Sequence, residues 1–79
     1  MHTLTLYHRQ GCHLCDDLLQ DLGRMSAELC FEISRVDIDA DPALKRRFNE
    51  KIPVLALGED IICCHRLDER ALRQALSDG

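Results

Sequence analysis

Two cysteines three positions apart, Cys12 and Cys15 in Cys12-His13-Leu14-Cys15, are the residues of this sequence best placed to do chemistry. On a helix, three residues is about one turn, so the two sulfurs share a face and lie within disulfide reach. The pair follows an alternating segment, Thr3–His8, and a breaker, Arg9-Gln10-Gly11. It precedes Leu14, Leu18, Leu22, Met25 and Leu29, an apolar series in steps of three and four. Cys12 therefore stands at a helix start, where unpaired backbone N–H groups and the positive end of the helix dipole stabilise a thiolate. Thiols so placed titrate at about 3.5–7.5 rather than about 8.5. Because the thiolate is the nucleophile of disulfide exchange, Cys12 is expected to attack a substrate disulfide. Cys15, just inside the helix and more buried, is expected to resolve the mixed disulfide.

The neighbours of the pair carry further expectations. His13 either raises thiolate character when protonated or simply covers the site. Arg9 either attracts an anionic substrate or is a solvated turn residue. Asp16 and Asp17 suit a helix start, yet their charge opposes a thiolate. His2 and His8 read as strand or surface positions, and Arg46 and Arg47 as a solvated helix face.

These residues must be positioned by surrounding elements. Thr3–His8 reads as a strand, followed by a helix from near Cys12 to Met25–Glu28. Phe31–Ile38 reads as a second strand whose apolar phase shifts once, which implies a polar face or an irregularity at a sheet edge. Asp41-Pro42 is a helix entry: the carboxylate caps free N–H groups, and proline has no N–H to lose in the first turn. That helix, carrying Leu44 and Phe48, must stop before Pro53. Val54–Leu57, the turn Gly58-Glu59-Asp60 and Ile61–Cys64 read as a hairpin. Leu67, Ala71, Leu72, Ala75 and Leu76 line a last helix ending near Ser77. The order β-α-β-α-β-β-α predicts an α/β fold: a four-stranded mixed sheet, order 2-1-3-4, with three flanking helices.

Pro53 is the second anchor of the expected site. It opens the third strand beside the end of the first, next to the cysteines. A cis bond at Ile52–Pro53 is expected, leaving the Ile52 backbone free to pair with an extended substrate.

Composition bounds the rest. The 79 residues fit one domain, 1–79, and 46% are hydrophobic, as in a globular chain. A net charge of −4 argues against a nucleic-acid partner. No apolar run is long enough to span a membrane, and the N-terminus lacks a secretory pattern, so a cytoplasmic location is expected. Five cysteines, an odd number, do not read as a secreted disulfide framework. Cys30 reads as core. Cys63 and Cys64 should point to opposite faces of their strand, and they read either as two packing residues or as one packing residue with the other near Cys12 in a supplementary redox role.

The segment Tyr7-His8-Arg9-Gln10-Gly11-Cys12-His13-Leu14-Cys15, together with Ile52-Pro53-Val54-Leu55, resembles the glutaredoxin and thioredoxin families over nearly the whole chain. The closest likeness is to short bacterial glutaredoxin-like proteins. The resemblance implies a thioredoxin-like fold, a redox-active Cys pair and a cis-proline. It implies a thiol–disulfide oxidoreductase active in cell redox homeostasis, as a monomer with no tightly bound cofactor. Its substrate would be a disulfide-containing protein or small molecule, and its electron donor glutathione or a flavoprotein reductase. Arg9 stands where glutaredoxins place a glutathione-contacting lysine. By the same likeness Arg9, His13, Ile52, Pro53, Cys64 and His65 are the expected substrate-binding residues. Cys63-Cys64 occupies the place where glutaredoxins carry Gly-Gly against glutathione, and His65-Arg66 follows where an acidic residue is usual.

Two other classes remain. Cys12, Cys15, Cys64 and His65 are four ligand types that zinc accepts, and two chains can share an iron–sulfur cluster. The primary reading assigns no metal. The third class is a non-catalytic binding module, against which both cysteines of the motif count.

Overall fold

The computed structural model describes residues 2–78. The chain runs β1 (His2–His8), α1 (His13–Leu29), β2 (Phe31–Asp37), a 3-10 turn (Ile38–Ala40), α2 (Pro42–Phe48), β3 (Val54–Leu57), β4 (Asp60–Cys64) and α3 (Glu69–Asp78). The sheet order is β2-β1-β3-β4, as the element order predicts. β1 and β2 are parallel, which a helical crossover requires; β1–β3 and β3–β4 are antiparallel.

Register sorts the side chains onto two faces. Leu6 lies opposite Leu55, and Leu55 opposite Cys63. This row and Leu4 pack with Leu18, Leu22 and Met25 of α1 and Leu72 of α3. One residue further along, Tyr7, Val54 and Cys64 form a row facing the other way, against Ile38 and Phe48. The sheet is thus covered by α1 and α3 on one face and by α2 on the other. Leu4, Leu6, Leu22, Leu55 and Leu72 are essentially inaccessible. Each contributes roughly 1.5–3 kcal/mol of burial free energy, so the aliphatic core compensates for the scarcity of aromatic residues.

Local chemistry explains the element ends. Asp41 accepts the Ala43 N–H at 2.9 Å, with Pro42 opening α2. Asp68 accepts the Ala71 N–H at 3.0 Å at the start of α3. α1 ends on Cys30, which is left-handed (φ 54°) and donates its N–H to the Ser26 carbonyl. Cys30 is exposed. It therefore does not belong to the core, because the cap turns its side chain outward before β2 begins.

As expected, β2 is an edge strand with a polar face, Glu32 and Ser34 being exposed, and its ladder with β1 runs unbroken from Phe31 to Asp37. Ile38, expected in this strand, begins the 3-10 turn, which Asp37 caps by accepting the Asp39 N–H. The irregularity lies between β3 and β4: Leu55 faces Cys63 while Ala56 faces Ile61, leaving Ile62 as an extra residue. This bulge lets Ile62 and Cys63, though adjacent, both pack toward the α1–α3 core.

Candidate active site

The site grows from the exit of β1. Gly11 has φ of 78°, a left-handed conformation that a side chain would strain, and it aims the chain into α1. Cys12 is extended (φ −88°, ψ 104°) and is the N-cap of α1. Its sulfur accepts the backbone N–H of Cys15 at 3.1 Å, and its carbonyl accepts that of Asp16 at 3.1 Å. The sulfur thus takes the part of a capping oxygen, and negative charge on it meets a fixed donor and the helix dipole. Cys12 and Cys15 form a disulfide with their Cα atoms 5.2 Å apart. Cys15 is 3% exposed, whereas Cys12 is half-buried. Only the first sulfur is therefore open to an incoming disulfide.

The Ile52–Pro53 bond is cis. Val54 lies opposite Tyr7, near the end of β1, so Pro53 stands at the edge from which the Cys12 loop departs. Across the other side, the Pro53 carbonyl accepts the His65 N–H at 2.8 Å. His65 is itself left-handed (φ 69°), a rare state for a residue with a Cβ. The backbone there keeps the shape a glycine would give it, with an imidazole added. His65, Arg66 and Leu67 face Leu14, Asp17 and Leu18 across a groove of about 380 Å³. Leu14, between the two cysteines, is 45% exposed on one wall of that groove. His13 is exposed at the helix start and makes no side-chain hydrogen bond among the described residues.

Arg9 is engaged within the protein. Its Nε donates to both carboxylate oxygens of Asp39 at 3.0–3.1 Å, and its Nη2 to Asp39 Oδ1 at 2.9 Å and Asn49 Oδ1 at 2.6 Å. The hydrogen bonds hold the Asp39 carboxyl below the usual carboxylate range and the Arg9 guanidinium above its own. A lowered carboxylate pKa adds stability above the ordinary value, and this is lost as pH falls through the folded value. The tie therefore persists at neutral pH and opens only in acid. It fastens the loop before Cys12 to the 3-10 turn and to Asn49, the C-cap of α2. Neither Asp39 nor Asn49 stands out in the sequence, because the partners are 30 and 40 residues away and only the fold joins them. Arg35 is a second residue that sequence reading misses. It comes from the α1-facing side of β2, which also carries Phe31 and Ile33, and lines, with Arg9, Gly11, Cys15 and Asp16, a cleft of about 190 Å³.

Cys63 and Cys64 separate as strand alternation requires: Cys63 packs toward α1 and α3, Cys64 opposite Val54 against the Ile38–Phe48–Val54 cluster on the α2 side. Burial pushes the Cys63 thiol up, against a backbone hydrogen bond with Asp68 that pulls it down. A raised thiol pKa keeps the sulfur neutral through the ordinary range. Its contribution to stability is present below that range and lost as pH rises through the folded value. Native alkylation of the reduced protein near pH 8, read by mass spectrometry, should label Cys12 and exposed Cys30 within minutes, half-buried Cys63 more slowly and buried Cys15 last. Labelling of Cys63 as fast as Cys30 would contradict its partial burial and raised pKa. Among the described residues, no three His, Cys, Asp or Glu side chains converge as a metal site.

Comparison with known proteins agrees with this geometry. Residues 3–77 match the family described as Glutaredoxin-like domain (DUF836). An uncharacterized protein of Mycobacterium tuberculosis is 30% identical over 73 residues, covering 86% of this chain and 75% of that one. The solution structure of protein Ne2328 from Nitrosomonas europaea is 33% identical, covering 94% of this chain and 89% of that one, with a TM-score of 0.85. The oxidised thioredoxin of Plasmodium falciparum shares the fold alone, at 14% identity and a TM-score of 0.58, over 96% of this chain and 78% of that one.

Proposed function

Because the chain belongs to the glutaredoxin-like family, we propose that it is a thiol–disulfide oxidoreductase that reduces protein or small-molecule disulfides through Cys12 and Cys15. The observation that carries this reading is the capping geometry of Cys12. Its half-exposed sulfur accepts the Cys15 N–H at the start of α1 and pairs with a buried second thiol.

The cycle balances as a two-electron exchange. The Cys12 thiolate attacks one sulfur of the substrate disulfide, forming a mixed disulfide and releasing the other sulfur as a thiolate that takes a proton. Cys15 loses its proton and attacks the Cys12 sulfur, expelling the second substrate thiolate. The products are two substrate thiols and the Cys12–Cys15 disulfide. Two molecules of glutathione, or a flavoprotein reductase, return the pair to the dithiol. The chain's own residues bind and orient: Ile52, ahead of cis-Pro53, offers its backbone carbonyl to an extended substrate, its N–H being held by the Phe48 carbonyl, and His13, Cys64 and His65 are the side chains assigned to contact that substrate. Arg9, already tied to Asp39, steadies the loop. The protein works as a monomer in the cytoplasm without a tightly bound cofactor. No helix among the described residues is long and apolar enough to cross a membrane.

The test is a redox titration in glutathione buffer with thiol mapping. A reversible Cys12–Cys15 couple between about −200 and −270 mV, the span from glutaredoxins to thioredoxin, is expected. Absence of a reversible couple between these two residues would overturn the assignment.

A further inference from the structure

The segment from α2 to β3 is charged against the rest of the molecule. Lys45, Arg46, Arg47 and Lys51 face one carboxylate, Glu50, so this stretch is strongly basic in a chain of net charge −4. All four cations are exposed. With Asn49 they line an open groove of about 700 Å³. Lys45 stands 3.9 Å from Asp39, but Arg46, Arg47 and Lys51 have no ion-pair partner among the described residues. Arg47 lies over the Phe48 ring at 4.6 Å, which fixes its position without neutralising it. The negative end of the α2 dipole lets the last turn carry cations cheaply. Lys51, beyond the helix, extends the charge toward Ile52 and cis-Pro53.

This groove adjoins the reactive loop. Asn49, on its wall, is bonded to Arg9, and the Arg9–Asp39 tie joins the loop before Cys12 to the same region. α2 is seven residues, about 10 Å long. Cations spread over that length and one turn beyond match a row of carboxylates better than a single small anion. The negative charge elsewhere on the chain repels a long polyanion such as nucleic acid, whereas a local acidic patch on a folded partner meets only the basic face.

We propose that the α2 groove docks an acidic segment of a protein partner, so that the partner's disulfide is delivered to Cys12 by electrostatic complementarity. The delivery step rests on the oxidoreductase reading; the docking itself does not. It steers encounter and orientation, and it weakens with salt.

The experiment reads binding to the oxidised protein, so that no turnover is involved. The probe is a fluorescein-labelled, cysteine-free peptide bearing four glutamates, compared with a control bearing four lysines and with a single-stranded oligonucleotide of similar length. Fluorescence anisotropy should show about tenfold tighter binding of the acidic peptide at low ionic strength, most of it lost near 0.2 M salt. Arg46→Glu with Lys51→Glu should invert the preference, and Arg46→Gln with Lys51→Gln should abolish it. Both positions are exposed, and circular dichroism checks that the variants fold. Equal affinity for the two peptides, a preference unchanged by either double variant, or tighter binding of the oligonucleotide would each overturn the proposal. Those outcomes leave the Cys12–Cys15 chemistry standing, and an inactive Cys pair would leave the docking result standing.

Discussion

Cys12→Ser eliminates turnover of a model disulfide, a loss of about three orders of magnitude or more, comparable with removal of other enzymes' nucleophiles. The expectation is large because nothing else at the site substitutes for this sulfur. Cys15, the adjacent thiol, is 3% exposed, and Cys63 is half-buried against the α1–α3 core with its thiol held neutral. Cys64 packs on the α2 side of the sheet, opposite Val54. A serine hydroxyl still accepts the Cys15 N–H as an N-cap, so the helix start is kept while the nucleophile is lost. Unchanged stability beside lost activity is the result that separates chemistry from folding. The complementary change, Cys15→Ser, should leave attack by Cys12 intact and accumulate the mixed disulfide, visible as a mass adduct on Cys12. Full activity without Cys12 would remove the proposed mechanism.

The largest effect on stability is expected at Phe48. Phe48→Ala should cost about 3–5 kcal/mol, the range for deleting a buried aromatic ring. A chain of this size has a total stability of roughly 4–12 kcal/mol. The substitution should therefore lower the thermal midpoint by roughly 12 °C or more. Phe48 is 1% exposed, and with Ile38 and Val54 it forms the whole buried cluster on the α2 face. Its ring lies 4.6 Å from that of Tyr7, and its carbonyl accepts the N–H groups of Lys51 and Ile52, which lead into cis-Pro53. Removing the ring thus loosens both the attachment of α2 and the approach to Pro53. Phe48→Leu, which keeps most of the volume, should cost markedly less. Thermal melts followed by circular dichroism measure both, and a fall of only a few degrees for Phe48→Ala would show that the α2 face contributes little to stability.

The other face of the sheet explains why these two effects are separable. Leu18 and Leu22 of α1 pack against Leu4, Leu6 and Leu55, anchoring the helix whose start carries Cys12. Arg73 reaches from α3 to Glu28 near the end of α1 at 2.6 Å, and Arg24 pairs with Asp21 on α1 itself. Such exposed pairs add little to stability. The position of the reactive sulfur is thus set by apolar packing and the Cys12 cap, while the Arg9 tie fixes the loop before it.

The elements and their order are determined by features local in sequence. Apolar steps of three and four mark α1, Asp41-Pro42 marks the entry to α2, and strand-then-helix order forces a parallel β1–β2 pair. The reactive pair is equally local, since Cys12 and Cys15 are one turn apart and the helix start supplies the donor. What joins distant segments was decided only by the tertiary structure. Arg9 finds Asp39 and Asn49 because the end of β1 lies beside the 3-10 turn and the end of α2. Arg35 reaches the Cys15 cleft because β2 is parallel to β1. Cys30 faces solvent because a left-handed cap rotates it outward, and Ile62 and Cys63 share a face because a bulge breaks alternation. Periodicity reports the environment of a regular segment. It is silent where backbone geometry departs from the repeat, and where contacts depend on how strands and helices are laid side by side.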